Sequence, residues 1–508
     1  AASLEVRSAV VFASLVVILL FLPVFFLDGV AGSFFRPLAV AYVLAIAASL
    51  LVALVVTPAL CLLLLPAGSA RAAEPPLVAW LRARYGRLLP PVVARPGLAV
   101  ASVGVGLALA VGGAAAFRQQ FLPDFQETDF LMHWVAKPGT SIEAMERTTA
   151  RVSRELRAIP GVRSFGAHIG RAEVADEVVG PNFTELCISL DGSADYRASL
   201  SRIQSVIAGY PGLDRDVLTY LRERIKEVLS GAGATIAVRI YGPEQAELRA
   251  AAERVRTALA AIPGVVELKV EQQVLVPQVR IVPRAADLAA VGLTAGELRR
   301  QAQTLIAGEK LGEIYRDQKS FEVTLWGEPA VRGDRASLGV LAVATPDGML
   351  VRLADVADLV VVPAPNEIRR ENGQRRIDVT LNTGAADLGR IGREVQQALA
   401  GVPFRSGYFP TVLGEYAALQ AARQRLLLTA VLCVGGMLVL VWSEFRSLRI
   451  TALFAASLPF ALLGGVAGVA LGGGVLSLGS LVGFVTVIGI SARNGIMLLA
   501  HYQHLQQQ

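Results

Sequence analysis

Apolar residues gather in five long stretches that contain no Asp, Glu, Lys or Arg. They run from Ser8 to Leu27, Pro37 to Ala70, Pro96 to Phe117, Leu426 to Ser443 and Ile450 to Ala492. A membrane-crossing helix needs about 20 apolar residues. The first, third and fourth stretches suit one helix each, and the second holds one from Leu38 to Leu65. The fifth is 43 residues long and is interrupted by Gly472, Gly473 and Gly474. That break predicts one helix up to Leu471 and another from Leu478 to His501. Six spans result.

Between Arg118 and Arg425 the pattern changes to short alternating and helix-period segments. This stretch of 308 residues has no spanning candidate and is long enough for two or more domains. RVSRELRAIPGV (Arg151 to Val162) recurs as RVRTALAAIPGV (Arg254 to Val265), and EVQQALAGVP (Glu394 to Pro403) is a weaker third copy. DFLMHWVA (Asp129 to Ala136) and TIAVRIYG (Thr235 to Gly242) precede the first two as strands; VRSFGAHIG and VVELKVEQQ follow them as strands. The repeating unit is strand–helix–strand, which in multiple copies builds ferredoxin-like sandwiches. From Arg284 to Val362 the rhythm differs. LTAGELRRQAQTL (Leu293 to Leu305) predicts a helix capped by Thr294, while FEVTLWG and MLVRLADVADLVVV read as strands of an inserted domain. The strand RRIDVTLNTG (Arg375 to Gly384) resumes the repeat.

The expected fold is a polytopic α-helical membrane protein with an α+β outer module of repeated ferredoxin-like units. Three membrane helices occupy 1–117, with a linker on the inner side at 66–95. The module divides into 118–283, an insert at 284–365 and a remainder at 366–425. Three more membrane helices occupy 426–508.

Composition fits this mixture. Hydrophobic residues make up 54% of the 508, charged residues 18%, and mean hydropathy is +0.52. Soluble domains carry about 25% charged residues. Disorder is excluded and an ordinary soluble enzyme is disfavoured. The net charge of +6 is not a nucleic-acid signal. Arg71, Arg82, Arg84, Arg87, Arg95, Arg446 and Arg449 all lie in two loops on one side, which positive-inside bias places in the cytoplasm. The segment Pro76 to Leu89 (PLVAWLRARYGRLL) reads either as an amphipathic helix on the inner surface or as a basic loop. Cys61 and Cys433 fall in spans. Cys187 is alone in the module, so no disulfide forms there, and LCISL places it in the core. With no initiator Met or signal peptide, the chain reads as a fragment of a longer protein.

The order of these parts resembles the C-terminal half of the resistance–nodulation–division (RND) efflux pump permeases. Phe21 to Pro66, ending in TPALCLLLLP, looks like the junction of two consecutive spans of that family. FLPDFQETDFLMHWVAKPGTSIE (Phe121 to Glu143) looks like its entry into the second outer loop, and GFVTVIGISARNGIMLLAHY (Gly483 to Tyr502) like its tenth span. LRERIKEVLSGAGATIAVRIYGP (Leu221 to Pro243) and IGRAEVADE (Ile169 to Glu177) are most similar to the heavy-metal branch. The resemblance implies a proton-driven permease of the bacterial inner membrane, with porter subdomains and a docking-like insert in the periplasm. It implies a homotrimer working with a periplasmic adaptor and an outer-membrane channel. No cofactor is implied; the energy source is the proton-motive force. A fragment of such a pump is not expected to transport alone.

Arg493, in ISARNGIM, is the one Asp, Glu, Lys or Arg that this reading places inside a span. Intramembrane charge is costly and usually functional. The resemblance makes it the counter-ion of an acidic proton-carrying pair on another span; arginine itself does not release a proton. The alternative is a side chain that snorkels to the surface. Asn494 either joins that network or packs between helices.

For metal, there are four His and five Met, with no methionine-rich run for a soft ion. Three methionines of copper- and silver-exporting relatives fall on His133, Glu227 and Leu293, none of which is Met. His133 with Glu227 would suit a borderline divalent ion such as Zn(II) or Co(II); otherwise both are solvated or structural. Glu173, Asp176 and Glu177 either attract cations to an entrance or form a solvated loop. Phosphate-binding loops and nucleophile–base constellations are lacking, which argues against ATP use and against an enzyme. Export of drugs or amphiphiles is the runner-up function, although only 6% of residues are aromatic. A non-pumping membrane receptor or export accessory is the third reading.

Overall fold

The computed structural model describes residues 7–64, 75–122, 127–171, 179–215, 217–273, 275–384 and 387–507. Each of the six expected spans coincides with a helix. Four helices follow one another at the start: α1 (Arg7–Phe25), α2 (Gly29–Leu64), α3 (Pro76–Ala94) and α4 (Pro96–Ala116). At 36 residues, about 54 Å at the α-helical rise, α2 is longer than one crossing needs. It begins well before Leu38 because Arg36 does not interrupt it: the guanidinium turns back to donate to the Leu27 carbonyl at 3.0 Å. One π-helical turn, Val52–Val56, lies within it. The segment read as either helix or loop is the helix α3.

The strand β1 (Arg118–Gln119) leads into the first sheet: β2 (Asp129–Val135), α5 (Ile142–Arg157), β3 (Val162–Ile169), β4 (Phe183–Leu190), α6 (Tyr196–Ala208), β5 (Asp214–Arg215) and β6 (Leu218–Thr219). The strand order is β3–β4–β2–β5, with β6 also on β2, and all pairs are antiparallel. After the helix α7 (Tyr220–Ser230) come β7 (Ile236–Tyr241), α8 (Gln245–Leu259) and β8 (Val266–Val270). A long antiparallel ribbon then leaves this body, pairing β9 (Leu275–Pro283) with a return strand, Ala357–Pro365. At its far end are α9 (Ala295–Ala307) and the hairpin β10 (Glu309–Arg316) and β11 (Lys319–Leu325). Thr294 caps α9 in a reciprocal box with Glu297, as its sequence anticipates. The return strand is β12. It does not begin at Met349, because Leu353–Val356 makes a helical turn first.

The second sheet is completed by β13 (Arg370–Glu371), β14 (Gln374–Asn382), α10 (Leu388–Ala400) and β15 (Phe409–Gly414). Its order is β13–β14–β7–β15, with β8 also on β14. Both sheets thus run strand–helix–strand–strand–helix–strand and place the first strand of the unit beside its third and fourth. In the second unit the ribbon-borne insert separates the second and third strands. Apolar faces of α8 and α10 bury Leu248, Val255, Ile391 and Val395 against Val238, Ile240 and Val379.

Three helices close the chain: α11 (Glu415–Phe445), α12 (Leu448–Leu471) and α13 (Leu478–Gln507). A short strand, β16 (Val475–Leu476), lies between the last two and pairs with β1 in parallel. Among the described residues, α2, α11, α12 and α13 are long and apolar enough to cross a membrane, while Val10–Phe25 and Val100–Gly113 are shorter apolar stretches of α1 and α4. Asp28, at the start of α2, and the connection at 472–477 lie on the side of the two sheets: Asp28 pairs with Arg425, and the Arg118 amide donates to the Gly474 carbonyl at 3.1 Å.

Cys187 is exposed rather than core. On β4 it alternates with the buried Leu186 and Ile188 and so points from the face of the sheet away from α5 and α6. Glu173, Asp176 and Glu177 lie outside the described residues, as does Arg71.

Candidate functional site

The open face of the first sheet is set by the alternation in β2. Phe130, Met132 and Trp134 are buried with Val152 and Leu156 of α5 and Ile203 and Ile207 of α6. His133 therefore points the other way, beside Glu185 in the β2–β4 register. The helix α7 packs against this face. It brings Glu223 to His133: Nδ1 of the imidazole is 3.1 Å from Oε1 of the carboxylate.

The Glu223 side chain is fully buried, and neither of its oxygens accepts an aligned hydrogen bond among the described residues. Buried carboxylates without donors are rare, because desolvation is then uncompensated. One turn further along α7, Glu227 is held by Arg224 at 2.7 Å, and Arg224 also reaches Glu185 at 3.2 Å. The structure thus brings His133 directly to Glu223 and places Glu227 alongside, engaged with an arginine. Leu293, the third position suggested by the resemblance, is buried in the core of the inserted part. Among the described residues, no group of three or more His, Cys, Asp or Glu is arranged to hold a metal ion.

The turn after α7 is glycine-rich for a steric reason. Gly231 (φ +66°) and Gly233 (φ +62°) are both left-handed, which glycine adopts without strain. A Cβ on Gly233 would lie 2.7 Å from Oε1 of Glu223.

These residues form one wall of a cavity of about 710 Å³ between the two sheets. The opposite wall is β14 with the segments beside it. Asp378 of β14 is bound by Arg239 of β7 through two contacts, 2.9 and 2.8 Å, and by Arg376 at 2.6 Å. Arg239 also donates to the Ser230 carbonyl at 3.0 Å, tying the end of α7 to the second sheet. Glu271 lies deep in this wall, 2.9 Å from Arg369. Burial pushes its carboxyl above the usual range and Asp378 adds to the rise, while Arg369 and Arg376 oppose it. Seven carboxylates line the cavity against five arginines and lysines, and Phe183 is the one aromatic side chain among the described lining residues. That lining suits a small cation better than a flat aromatic molecule.

Arg493 and Asn494 lie on α13. Ala492 and Ile496 on the same helix are buried in the bundle with Ala13, Val16 and Leu20 of α1. Arg493 and Asn494 fall on its exposed side, with Ile490 and Leu498. On α2, the Tyr42 ring stacks on Phe21 of α1 at 4.0 Å between centroids. Neither Arg493 nor Asn494 is among the described residues that line the cavity.

A bundle of long apolar helices that carries two like sheets, with a charged cavity between them, defines the class as an RND-type permease. The chain belongs to the AcrB/AcrD/AcrF family, whose model matches residues 1–508. It is 29% identical over its whole length to the cobalt-zinc-cadmium resistance protein CzcA of Cupriavidus metallidurans, covering 49% of that protein. It is 28% identical to the nickel and cobalt resistance protein CnrA of the same organism, over 98% of this chain and 47% of that one. The cation efflux system protein CusA of Escherichia coli is 26% identical over 99% of this chain and 49% of its own. A crystal structure of a heavy metal efflux pump superposes with a TM-score of 0.80 at 25% identity, over 97% of this chain and 50% of that one. The chain spans about half the length of the curated relatives it matches. Family and apolar helices together make it a protein of the inner membrane.

Proposed function

We propose that this chain forms part of a proton-driven permease that exports divalent cations, with the cavity between the two sheets as the substrate path. The observation that carries this reading is Glu223: a fully buried carboxylate with no aligned hydrogen-bond donor among the described residues, 3.1 Å from an imidazole nitrogen, in a cavity whose lining carries more carboxylates than cations. A histidine and a carboxylate are ligands for borderline ions such as Zn(II) or Co(II). Glu227 is the neighbouring ligand candidate, released when Arg224 turns fully to Glu185. The names of the relatives, which include cobalt, zinc, cadmium and nickel, support the same class of substrate.

In this reading the two sheets are duplicated ferredoxin-like porter units, supported by their shared strand order. They project into the periplasm, and the part borne on the β9–β12 ribbon is the docking-like subdomain. Its hairpin β10–β11 is exposed along nearly its whole length and displays Leu311, Tyr315 and Phe321. An exposed arm that displays apolar side chains among charged ones supports assembly as a homotrimer, with a periplasmic adaptor and an outer-membrane channel as further partners. Arg493 is the counter-ion in the proton relay and Asn494 its hydrogen-bonding neighbour. Their exposed stripe on α13 supports contact with spans of the longer pump that this chain does not cover. Protonation of an acidic pair there would release Arg493 and favour one conformer over another.

Zinc titration of the complete pump by calorimetry tests the reading. A site that is weakened in both His133→Ala and Glu223→Gln supports it. Binding unchanged in both variants removes it.

A further inference from the structure

We propose that Asp387 is a positioning residue that links the membrane helix α13 to the wall of the cavity. The inference rests on the reading of α13 as the helix that responds to protons, and goes beyond it by naming the mechanical connection.

The link is a series of backbone contacts closed by one carboxylate. α13 starts at Leu478, whose amide donates to the Phe121 carbonyl at 3.2 Å. Both residues are buried in the same core cluster. Immediately before Leu478, β16 pairs with β1 in parallel, Arg118 with Val475 and Gln119 with Leu476. The Gln120 amide donates to the Leu476 carbonyl at 3.1 Å. The strand β1 is thereby fixed to the outer end of α13. Its remaining amide, that of Gln119, donates to Oδ1 of Asp387 at 2.7 Å.

Asp387 is also the N-cap of α10. Oδ1 accepts from the Gly389 amide at 3.1 Å and Oδ2 from the Arg390 amide at 3.1 Å. One carboxylate thus closes the first turn of a module helix and holds the strand that adjoins the membrane helix. The packing admits little slack. A Cβ on Gly389 would lie 2.5 Å from the Gln119 side-chain oxygen, and one on Gly392 would lie 2.0 Å from the Tyr416 ring at the start of α11. The helix α10 is therefore pressed between β1 and α11.

From α10 the path to the cavity is short. The strand that precedes it, β14, carries Asp378, Thr380 and Asn382 on the cavity wall. Asn382 accepts from Lys226 of α7 at 3.1 Å, so the strand also contacts the helix that bears Glu223. A shift of the outer end of α13 is passed to β1, through Asp387 to α10, and so to both walls. An ordinary helix cap needs no partner outside its own helix; this one has a partner 268 residues away in the chain.

The test compares Asp387→Ala, Asp387→Asn and Asp195→Ala in the complete pump. Asp195 caps α6 by accepting from Ala198 at 3.0 Å and serves as the control for losing a cap alone. The first readout is amide hydrogen exchange at Gln119 and residues 388–391, with and without Arg493→Ala. In the wild-type and Asp195→Ala backgrounds, Arg493→Ala is expected to change exchange there about fivefold or more; in Asp387→Ala it is expected to change nothing. The second readout is zinc efflux. Asp387→Ala is expected to lower the maximal rate about tenfold with the half-saturating zinc concentration unchanged, and Asp387→Asn, whose one amide oxygen still accepts from Gln119 and Gly389 while the Arg390 bond is lost, to restore most of it. Exchange that responds to Arg493→Ala equally with and without Asp387, or in neither case, overturns the proposal. A wild-type pump with the exchange response and no zinc efflux supports the link and overturns the substrate reading.

Discussion

Nδ1 of His133 and Oε1 of Glu223 stand 3.1 Å apart on one wall of the cavity, the first carried by a strand and the second by the helix packed over it. Because Glu223 is fully buried with no aligned donor among the described residues, replacing it with glutamine removes the negative charge with little change of shape. Glu223→Gln is expected to weaken zinc binding by about 10- to 100-fold while leaving thermal stability unchanged or higher, since an uncompensated buried charge is gone. Calorimetric titration and a melting curve on the same preparation check both halves. Loss of stability with unchanged affinity would mean that the carboxylate is structural.

Gly233 gives an independent route to the same carboxylate. Gly233→Ala strains a left-handed turn and forces a Cβ against Oε1 of Glu223, so zinc affinity is expected to fall roughly tenfold. Gly212→Ala imposes similar backbone strain (φ +84°) with open space around the new methyl group. It is expected to leave zinc affinity intact. Equal effects on binding would point to strain alone.

Cation binding is expected to weaken on acidification earlier than ordinary carboxylates dictate. The cause is Glu271, whose carboxyl is raised by burial and by Asp378 against the opposing arginines Arg369 and Arg376. As pH falls through that raised value, Glu271 takes up a proton and the cavity loses a negative charge. The sign for stability is the reverse: this group favours the fold when protonated, below its unfolded value near 4.3, and the benefit is lost as pH rises through the folded value. Glu271→Gln should flatten the upper part of the pH profile of zinc binding. A profile identical to wild type contradicts the assignment.

Asp378 and Arg239 are both almost completely buried, and their pairing joins the two central strands of the second sheet. Asp378→Ala leaves Arg239 and Arg376 without this partner. The expected destabilisation is about 3–5 kcal/mol, read as a large drop in thermal midpoint. Asp378→Asn should cost clearly less, because the hydrogen bonds survive in part. An unchanged midpoint in the alanine variant would show that Glu371 and Glu271 take over both arginines.

The membrane helices were legible because charge is excluded from them for a physical reason that leaves long, unmistakable runs. Their true ends were not. Helices α2 and α11 extend past the apolar runs, since Arg36 and Arg425 are accommodated at the helix surface by the Leu27 carbonyl and by Asp28. Within the module, alternation marked β2 as a strand, the resemblance to metal exporters singled out His133 on it, and Thr294 located the start of α9. The same alternation misplaced Cys187, because a sequence pattern of period two does not say which face of a sheet is open. Glu223 was missed altogether. It lies in LRERIKE, which reads as a solvated helix, and only the packing of α7 across β2 buries it. The available signal was its spacing of four from Glu227, which puts both carboxylates on one side of the helix.

Zinc efflux from preloaded cells tests the central claim most directly. Cells lacking their own zinc exporters would express the complete pump with its adaptor and channel. The expected result is rapid zinc release that is abolished by a protonophore, by Arg493→Ala and by the double variant His133→Ala, Glu223→Gln. Release no faster than in cells without the pump, or release that persists with the protonophore, contradicts a proton-driven cation exporter.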